Sequence, residues 1–233
     1  MLDFLCLGAQ KAGTTWLFRK LRRHPAISFP GGKEVHFWDL FCDRGLTWYR
    51  ALFERPDGKL HGDMTPAYAT LPLEAIAQCH GLYPDLRLIY TLRNPIDRAW
   101  SAAKMEALRY GMAIPEVPEA WFLAQFHSPG SLARGDYEAC IRHWRSYYPR
   151  DSLLLLRFEE LAGDPESYLS KCYVHLGLDG RPASPGSMAA GKEREGPPGE
   201  LSPALRAALG RLYYSRIRSL AEYLQQDFTS WLG

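Results

Sequence analysis

The feature that most limits what this chain can fold into is the run Gly8-Ala9-Gln10-Lys11-Ala12-Gly13-Thr14-Thr15. It lies between an apolar stretch, Phe4 to Leu7, and a segment with Trp16, Leu17, Lys20 and Leu21 at helical spacing. Apolar strand, glycine-rich turn and helix, in that order, predict a loop whose backbone N–H groups and helix N-terminus converge on an anion. The run nearly fits the pattern G-x-x-x-x-G-K-[ST], with Thr15 at the hydroxyl position. Its lysine is displaced: position 14 is threonine and the basic residue sits inside the loop as Lys11. Backbone donors survive that change, and the hydroxyls of Thr14 and Thr15 add two more. The point charge moves toward whatever group the bound phosphate carries. The main interior strand, Leu86 to Leu92, runs into Arg93 rather than an acidic residue. A nucleoside triphosphate enzyme would want a magnesium ligand there, so no metal site is expected.

The rest of the chain alternates strands with helices. A short strand is expected at Ala26 to Phe29, after His24-Pro25 ends the first helix. Helices are expected at Thr47–Phe53, Pro72–Cys79, Ile96–Leu108 and Tyr137–Tyr147, with a further strand at Ser152–Arg157. Asp164-Pro165 supplies an N-cap and a first-turn proline for another helix, and Pro203–Leu224 is helical in period. Residues 180–203 are dense in Gly and Pro and read as a flexible loop or lid within one domain, 1–233. This order predicts an α/β fold: a single-domain central parallel sheet flanked by helices, with a P-loop-like anion-binding loop. In such sheets ligands sit beyond the carboxyl ends of the strands.

Composition narrows the partners. At 46% hydrophobic and 23% charged, the chain has a globular make-up. A net charge of +2 is too small for a nucleic-acid coat, so no nucleic-acid partner is expected and any anion site must be local. The five cysteines are scattered with no CxxC pair, the pattern of free thiols in a reducing compartment. No apolar run approaches the roughly 18 residues needed to span a bilayer, and the chain is expected to be cytoplasmic.

A second anchor follows the main strand. Arg93 stands at its carboxyl end, Pro95 starts a helix, and Ser101 lies about two turns into it. A planar guanidinium fork and a hydroxyl suit a second phosphate.

With both segments in view, the chain resembles the sulfotransferase superfamily, nearest to the heparan sulfate 3-O- and N-sulfotransferases and of a soluble, bacterial type. The resemblance runs through Lys11-Ala12-Gly13-Thr14-Thr15, His24-Pro25 and Lys33-Glu34-Val35-His36-Phe37-Trp38-Asp39. It continues through Gly45-Leu46-Thr47-Trp48-Tyr49, Asp63-Met64-Thr65-Pro66-Ala67-Tyr68, Arg93-Asn94-Pro95 with Arg98 and Ser101, and Gly135-Asp136-Tyr137 with His143-Trp144 and Pro149. It implies a donor, 3′-phosphoadenosine 5′-phosphosulfate, with adenosine 3′,5′-bisphosphate as product and no metal. It implies that Lys11, Ala12, Gly13, Thr14, Thr15 and Trp16 hold the 5′-phosphosulfate and that Arg93 and Ser101 hold the 3′-phosphate. Lys192 and Arg194 fall where the family has a loop closing over the nucleotide. Glu34 is similar to the catalytic base of the 3-O branch, and Lys11 would stabilise the departing phosphate oxygen. His36, two residues on, is the alternative base; in an extended segment, alternation would put both on one face. Asp63 is left open, as an orienting group for Lys11 or the acceptor or as a plain strand-end aspartate.

Two departures stand out: Met64 replaces a lysine found before Thr-Pro in the 3-O branch, and residues 180–203 lack that branch's cysteines. The expected activity is sulfuryl transfer to a hydroxyl or amine of a small-molecule, lipid or glycan acceptor. The rival readings are a small-molecule kinase with a degenerate loop and a non-catalytic nucleotide-binding module.

Overall fold

The computed structural model describes residues 1–180 and 199–232. In chain order the elements are β1 (Leu2–Gly8), α1 (Thr14–Leu21), β2 (Ile27–Ser28), α2 (Leu46–Phe53), β3 (Leu60–Met64), α3 (Leu73–Leu82), β4 (Arg87–Leu92) and α4 (Pro95–Arg109). Then come α5 (Glu119–Phe126), α6 (Pro129–Gly135), α7 (Tyr137–Arg145), β5 (Leu153–Arg157), α8 (Phe158–Gly163), α9 (Pro165–His175) and α10 (Pro203–Leu224). The chain divides into two compact units. The first holds Met1–Leu92 and the chain from Arg142, and the second holds Arg93–Ile141 with the C-terminal segment. Among the described residues, no helix is long and apolar enough to cross a membrane.

The first unit contains a five-stranded, all-parallel sheet in the order β2-β3-β1-β4-β5. Helices cover it, so its inner strands are buried on both faces, which is why β1 and β4 read as near-continuous apolar runs. One side of the core gathers Phe4, Cys6, Trp16, Leu17, Ile89, Leu156, Tyr168 and Cys172. From β1 the chain goes to β2 and β3 on one side and returns to β4 and β5 on the other. The carboxyl end of β1 is therefore the switch point of the sheet, where α/β folds bind ligands.

The strand expected at Ala26–Phe29 shrinks to Ile27–Ser28. The strand Leu60–Met64 was not foreseen, because Leu-His-Gly-Asp-Met offers little intrinsic strand preference. Pairing with β1 on one side and β2 on the other makes it a strand. Gly62 is there for space: it stands opposite Phe4 in the register, and a Cβ at this position would lie 2.1 Å from the Phe4 ring.

The second unit is helical. α10 packs against α4 and α5, burying Leu205, Leu209, Tyr213, Ile217, Leu220 and Leu224 along one stripe. Arg98 of α4 is fully buried and donates to the Ser131 carbonyl at 3.0 Å and to the Tyr213 hydroxyl at 3.3 Å. Asp136 explains part of the Gly-Asp-Tyr motif: one carboxylate oxygen accepts from Ala139 N–H and the other meets Arg216.

Gly62→Ala should destabilise the protein by about 1–3 kcal/mol, as overpacking does. Adding Phe4→Leu should recover part of that loss, as read from urea unfolding midpoints.

Candidate active site

The loop after β1 is shaped by close approach. Gly8 has φ 131°, and a Cβ there would lie 2.8 Å from the Pro66 carbonyl oxygen. Thr91 of β4 holds the loop from the other side, its hydroxyl donating to Gly8 O at 2.7 Å and its carbonyl accepting from Ala9 N–H at 2.7 Å. Ala12 N–H closes the turn onto Ala9 O at 3.1 Å. Lys11 at φ 71° and Gly13 at φ 79° are both left-handed, which curls the chain into a cradle before α1 begins. A Cβ on Gly13 would strike the Phe158 ring at 2.9 Å. The first helical bond runs from Leu17 N–H to Gly13 O. The N–H groups of Thr14, Thr15 and Trp16 therefore precede the intrahelical ladder and have no acceptor within it. Thr14 is buried and Thr15 exposed. The Trp16 side chain lies in the core, edge-on to Tyr168, so only its backbone faces the cradle end of α1.

Glu34 and His36 lie beside the next strand end. Glu34 N–H donates to Met64 O at 3.2 Å, and His36 N–H donates to the Thr65 hydroxyl at 3.3 Å. The two side chains do meet, His36 Nε2 lying 3.2 Å from Glu34 Oε2, but alternation along an extended strand is not the cause. Glu34 and His36 have φ of 68° and 56°, and this pair of left-handed residues brings together an exposed Glu34 and a half-buried His36. Lys33 pairs with the other Glu34 oxygen, and Asp39 holds His36 Nδ1 at 2.9 Å. The result is a relay Lys33–Glu34–His36–Asp39.

Burial pushes the Glu34 carboxyl up, yet its bonds to the Lys33 ammonium and the His36 ring outweigh that and leave it below its ordinary 4.5. Burial pushes His36 down, and Asp39 and Glu34 together carry it above its ordinary 6.5. Both ring nitrogens face carboxylates, which only accept, so the protonated ring satisfies both.

Met64 points into the hydrophobic core with Cys6, Trp16 and Ile89. A positive charge beside Glu34 is carried by Lys33. Sequence reasoning passed over Lys33 and Asp39 as site residues; the i, i+3 spacing of His36 and Asp39 was the available signal. Asp63 is fully buried beneath this segment, out of reach of an acceptor.

In the second unit, Arg93 leads into α4. Its carbonyl accepts from the Tyr137 hydroxyl at 2.7 Å, and the Asn94 side chain caps the helix by accepting from Ile96 N–H at 3.0 Å. Ser101 is buried on α4. Lys104, one turn beyond Ser101, is held below its ordinary basicity first by burial and then by the charge of Arg93. Arg93 and Lys104 are near enough for their charges to oppose each other, and Ser101 lies one turn before Lys104 on the same helix. Lys192 and Arg194 lie outside the described residues. Among the described residues, no cluster of three or more His, Cys, Asp or Glu is arranged to hold a metal ion.

The profile of the sulfotransferase domain family matches residues 2–188, from β1 through the whole relay and both basic segments. The chain belongs to the sulfotransferase family. It is 33% identical over 186 residues to heparan sulfate glucosamine 3-O-sulfotransferase 6 of Mus musculus, a match covering 75% of this chain and 52% of that protein. It is 29% identical over 195 residues to the Homo sapiens bifunctional heparan sulfate N-deacetylase/N-sulfotransferase 2, covering 75% of this chain and 22% of that protein. The chain thus spans about half the length of the 3-O-sulfotransferases it matches. A sulfotransferase from Alicyclobacillus acidocaldarius superposes with a TM-score of 0.79 at 25% identity, over 99% of this chain and 98% of that one. Mouse sulfotransferase SULT7A1, solved in complex with PAP, shares the fold at TM-score 0.61 and 21% identity, over 96% of this chain and 88% of that one.

The relay makes a prediction independent of activity. The His36 ring should titrate above 6.5 by NMR, and Asp39→Asn should bring it down. Glu34 contributes stability above its unfolded value, lost as pH falls through its depressed folded one. His36 contributes below its unfolded value, lost as pH rises through its raised folded one. Their joint contribution should be full between about 4.5 and 6.5 and absent from Glu34→Gln/His36→Gln, as read from urea unfolding across pH.

Proposed function

We propose that residues 1–233 act as a sulfotransferase domain that moves a sulfuryl group from 3′-phosphoadenosine 5′-phosphosulfate to a hydroxyl or amine of a small-molecule, lipid or glycan acceptor. The observation that carries this reading is that the anion cradle and the Lys33–Glu34–His36–Asp39 relay are built on the same short stretch, Met64–Pro66. Glu34 bonds to Met64, His36 bonds to Thr65, and Gly8 abuts Pro66.

The donor fits the residues present. The cradle at Gly8–Thr15 offers consecutive N–H groups, two hydroxyls and Lys11, the donor set that an esterified phosphate takes. Arg93 and Ser101, with Lys104, offer a second anion group suited to the 3′-phosphate. The donor supplies an already activated sulfuryl group, so the protein's work is positioning and proton transfer. Lys11 places a positive charge where the bridging oxygen of the 5′-phosphate gains negative charge. Glu34 accepts the proton of the acceptor hydroxyl or amine. His36 is poorly placed as the base, because both its nitrogens are turned to carboxylates, which favour the charged ring. It instead shares a proton with Glu34 and fixes that carboxylate's orientation. The five cysteines form no disulfide with one another, which supports a reducing, cytoplasmic setting.

Purified protein should bind adenosine 3′,5′-bisphosphate without magnesium in calorimetry. Lys11→Ala should lower kcat on the order of 10²-fold or more, the loss typical of an oxyanion donor. A loss of tenfold or less would remove Lys11 from the leaving group. Glu34→Gln should bind the bisphosphate normally and lose turnover by about 10²–10⁴-fold; near-normal turnover would overturn the base assignment.

A further inference from the structure

The carboxylate of Asp63 takes no part in the chemistry above, yet three side-chain hydroxyls donate to it. Asp63, Tyr49, Thr65 and Tyr68 are all 0% exposed. The Thr65 hydroxyl donates to Asp63 Oδ1 at 2.7 Å, and the Tyr49 and Tyr68 hydroxyls each donate to Oδ2 at 2.9 Å. A hydroxyl has one proton and two lone pairs. Once Thr65 and Tyr68 have committed their protons to Asp63, their lone pairs face the other way. There they accept from His36 N–H at 3.3 Å and from Phe37 N–H at 2.9 Å.

Three amides of the relay segment are therefore pinned to one strand end: Glu34 to Met64 O, His36 to Thr65 and Phe37 to Tyr68. Two of the three bonds end on a hydroxyl that Asp63 orients. The segment needs such holding, since two of its non-glycine residues sit in the left-handed region at a cost of order 1 kcal/mol or more each. Tyr49 adds a steric wall, its ring stacked on Phe37 at 4.5 Å.

We propose that Asp63 is a positioning residue: through Thr65 and Tyr68 it sets the backbone turn that carries Glu34 and His36 to each other and to the acceptor. This rests on the reading of Glu34 as the base. The arrangement explains why an acid is kept in a place where burial penalises its charge: a buried carboxylate orients several donors at once, which an apolar residue of the same size does not.

Thr65→Val and Tyr68→Phe each remove one hydroxyl without changing shape, and Asp63→Asn removes the charge. Each should leave affinity for adenosine 3′,5′-bisphosphate unchanged, lower kcat by about ten- to a hundredfold, and move the NMR titration of His36 back toward 6.5 as Glu34 and Asp39 lose their register on the ring. Thr65→Ser should restore both readouts. In a Glu34→Gln background, Thr65→Val and Tyr68→Phe should cost little more in kcat, because they act through Glu34. A role confined to packing would lower stability and multiply with Glu34→Gln, leaving the His36 titration in place. An unmoved His36 titration in both Thr65→Val and Tyr68→Phe overturns the proposal, even if Asp63→Asn fails to fold. Should Glu34→Gln itself keep normal turnover, the base reading falls alone, and the His36 titration still decides whether Asp63 positions the segment.

Discussion

The structure of the candidate site depends on what happens at the carboxyl end of β3. Five residues there, Asp63 to Ala67, together with Tyr68, face two ways. Pro66 presses against Gly8 and allows only glycine at the start of the cradle. Asp63, Thr65 and Tyr68 turn their polar atoms toward the Glu34–Phe37 turn. Side-chain hydroxyls between a buried carboxylate and backbone amides have little freedom to reorient, because every alternative leaves a donor unsatisfied in a dry interior. The cradle and the relay are thereby held by one short stretch of backbone.

That arrangement matters for chemistry that asks little covalent work of the protein. When the group to be moved arrives activated, the rate depends on how closely base, acceptor and leaving group are aligned, and small displacements are costly. A loop alone would serve poorly. Here the loop carrying Glu34 is made rigid by pairing its amides with a strand end deep in the core. The relay also divides labour by charge. Lys33 and the His36 ring hold Glu34 in its ionised form, while Asp39 keeps the ring charged from behind.

Several residues of the candidate site stand out in the sequence and others do not. Lys11, Gly13 and the two threonines announce themselves by spacing, since a glycine-rich turn between strand and helix has few other uses. Arg93 is legible because it ends an apolar strand and precedes Asn-Pro. Lys104 escaped notice because a lysine midway along an amphipathic helix is the commonest of surface residues; its partial burial and the charge of Arg93 mark it. Lys33 escaped because nothing in a linear reading says that it pairs with Glu34. The meeting of Glu34 with His36 was anticipated for a different reason, strand alternation, whereas two left-handed residues produce it.

By itself the sequence determined the parallel α/β fold, through apolar runs interrupted by helical periodicity, and the anion cradle, through its glycines. It also determined the family, through ordered short motifs. Only the tertiary structure decided that Leu60–Met64 is a strand, because pairing on both sides supplies what a Gly- and Asp-bearing segment lacks. Only the tertiary structure gave Asp63 a role, because hydrogen-bond direction depends on which groups meet across distant parts of the chain. Local preference is written along the chain; the orientation of a hydroxyl between two partners is settled only when both have arrived.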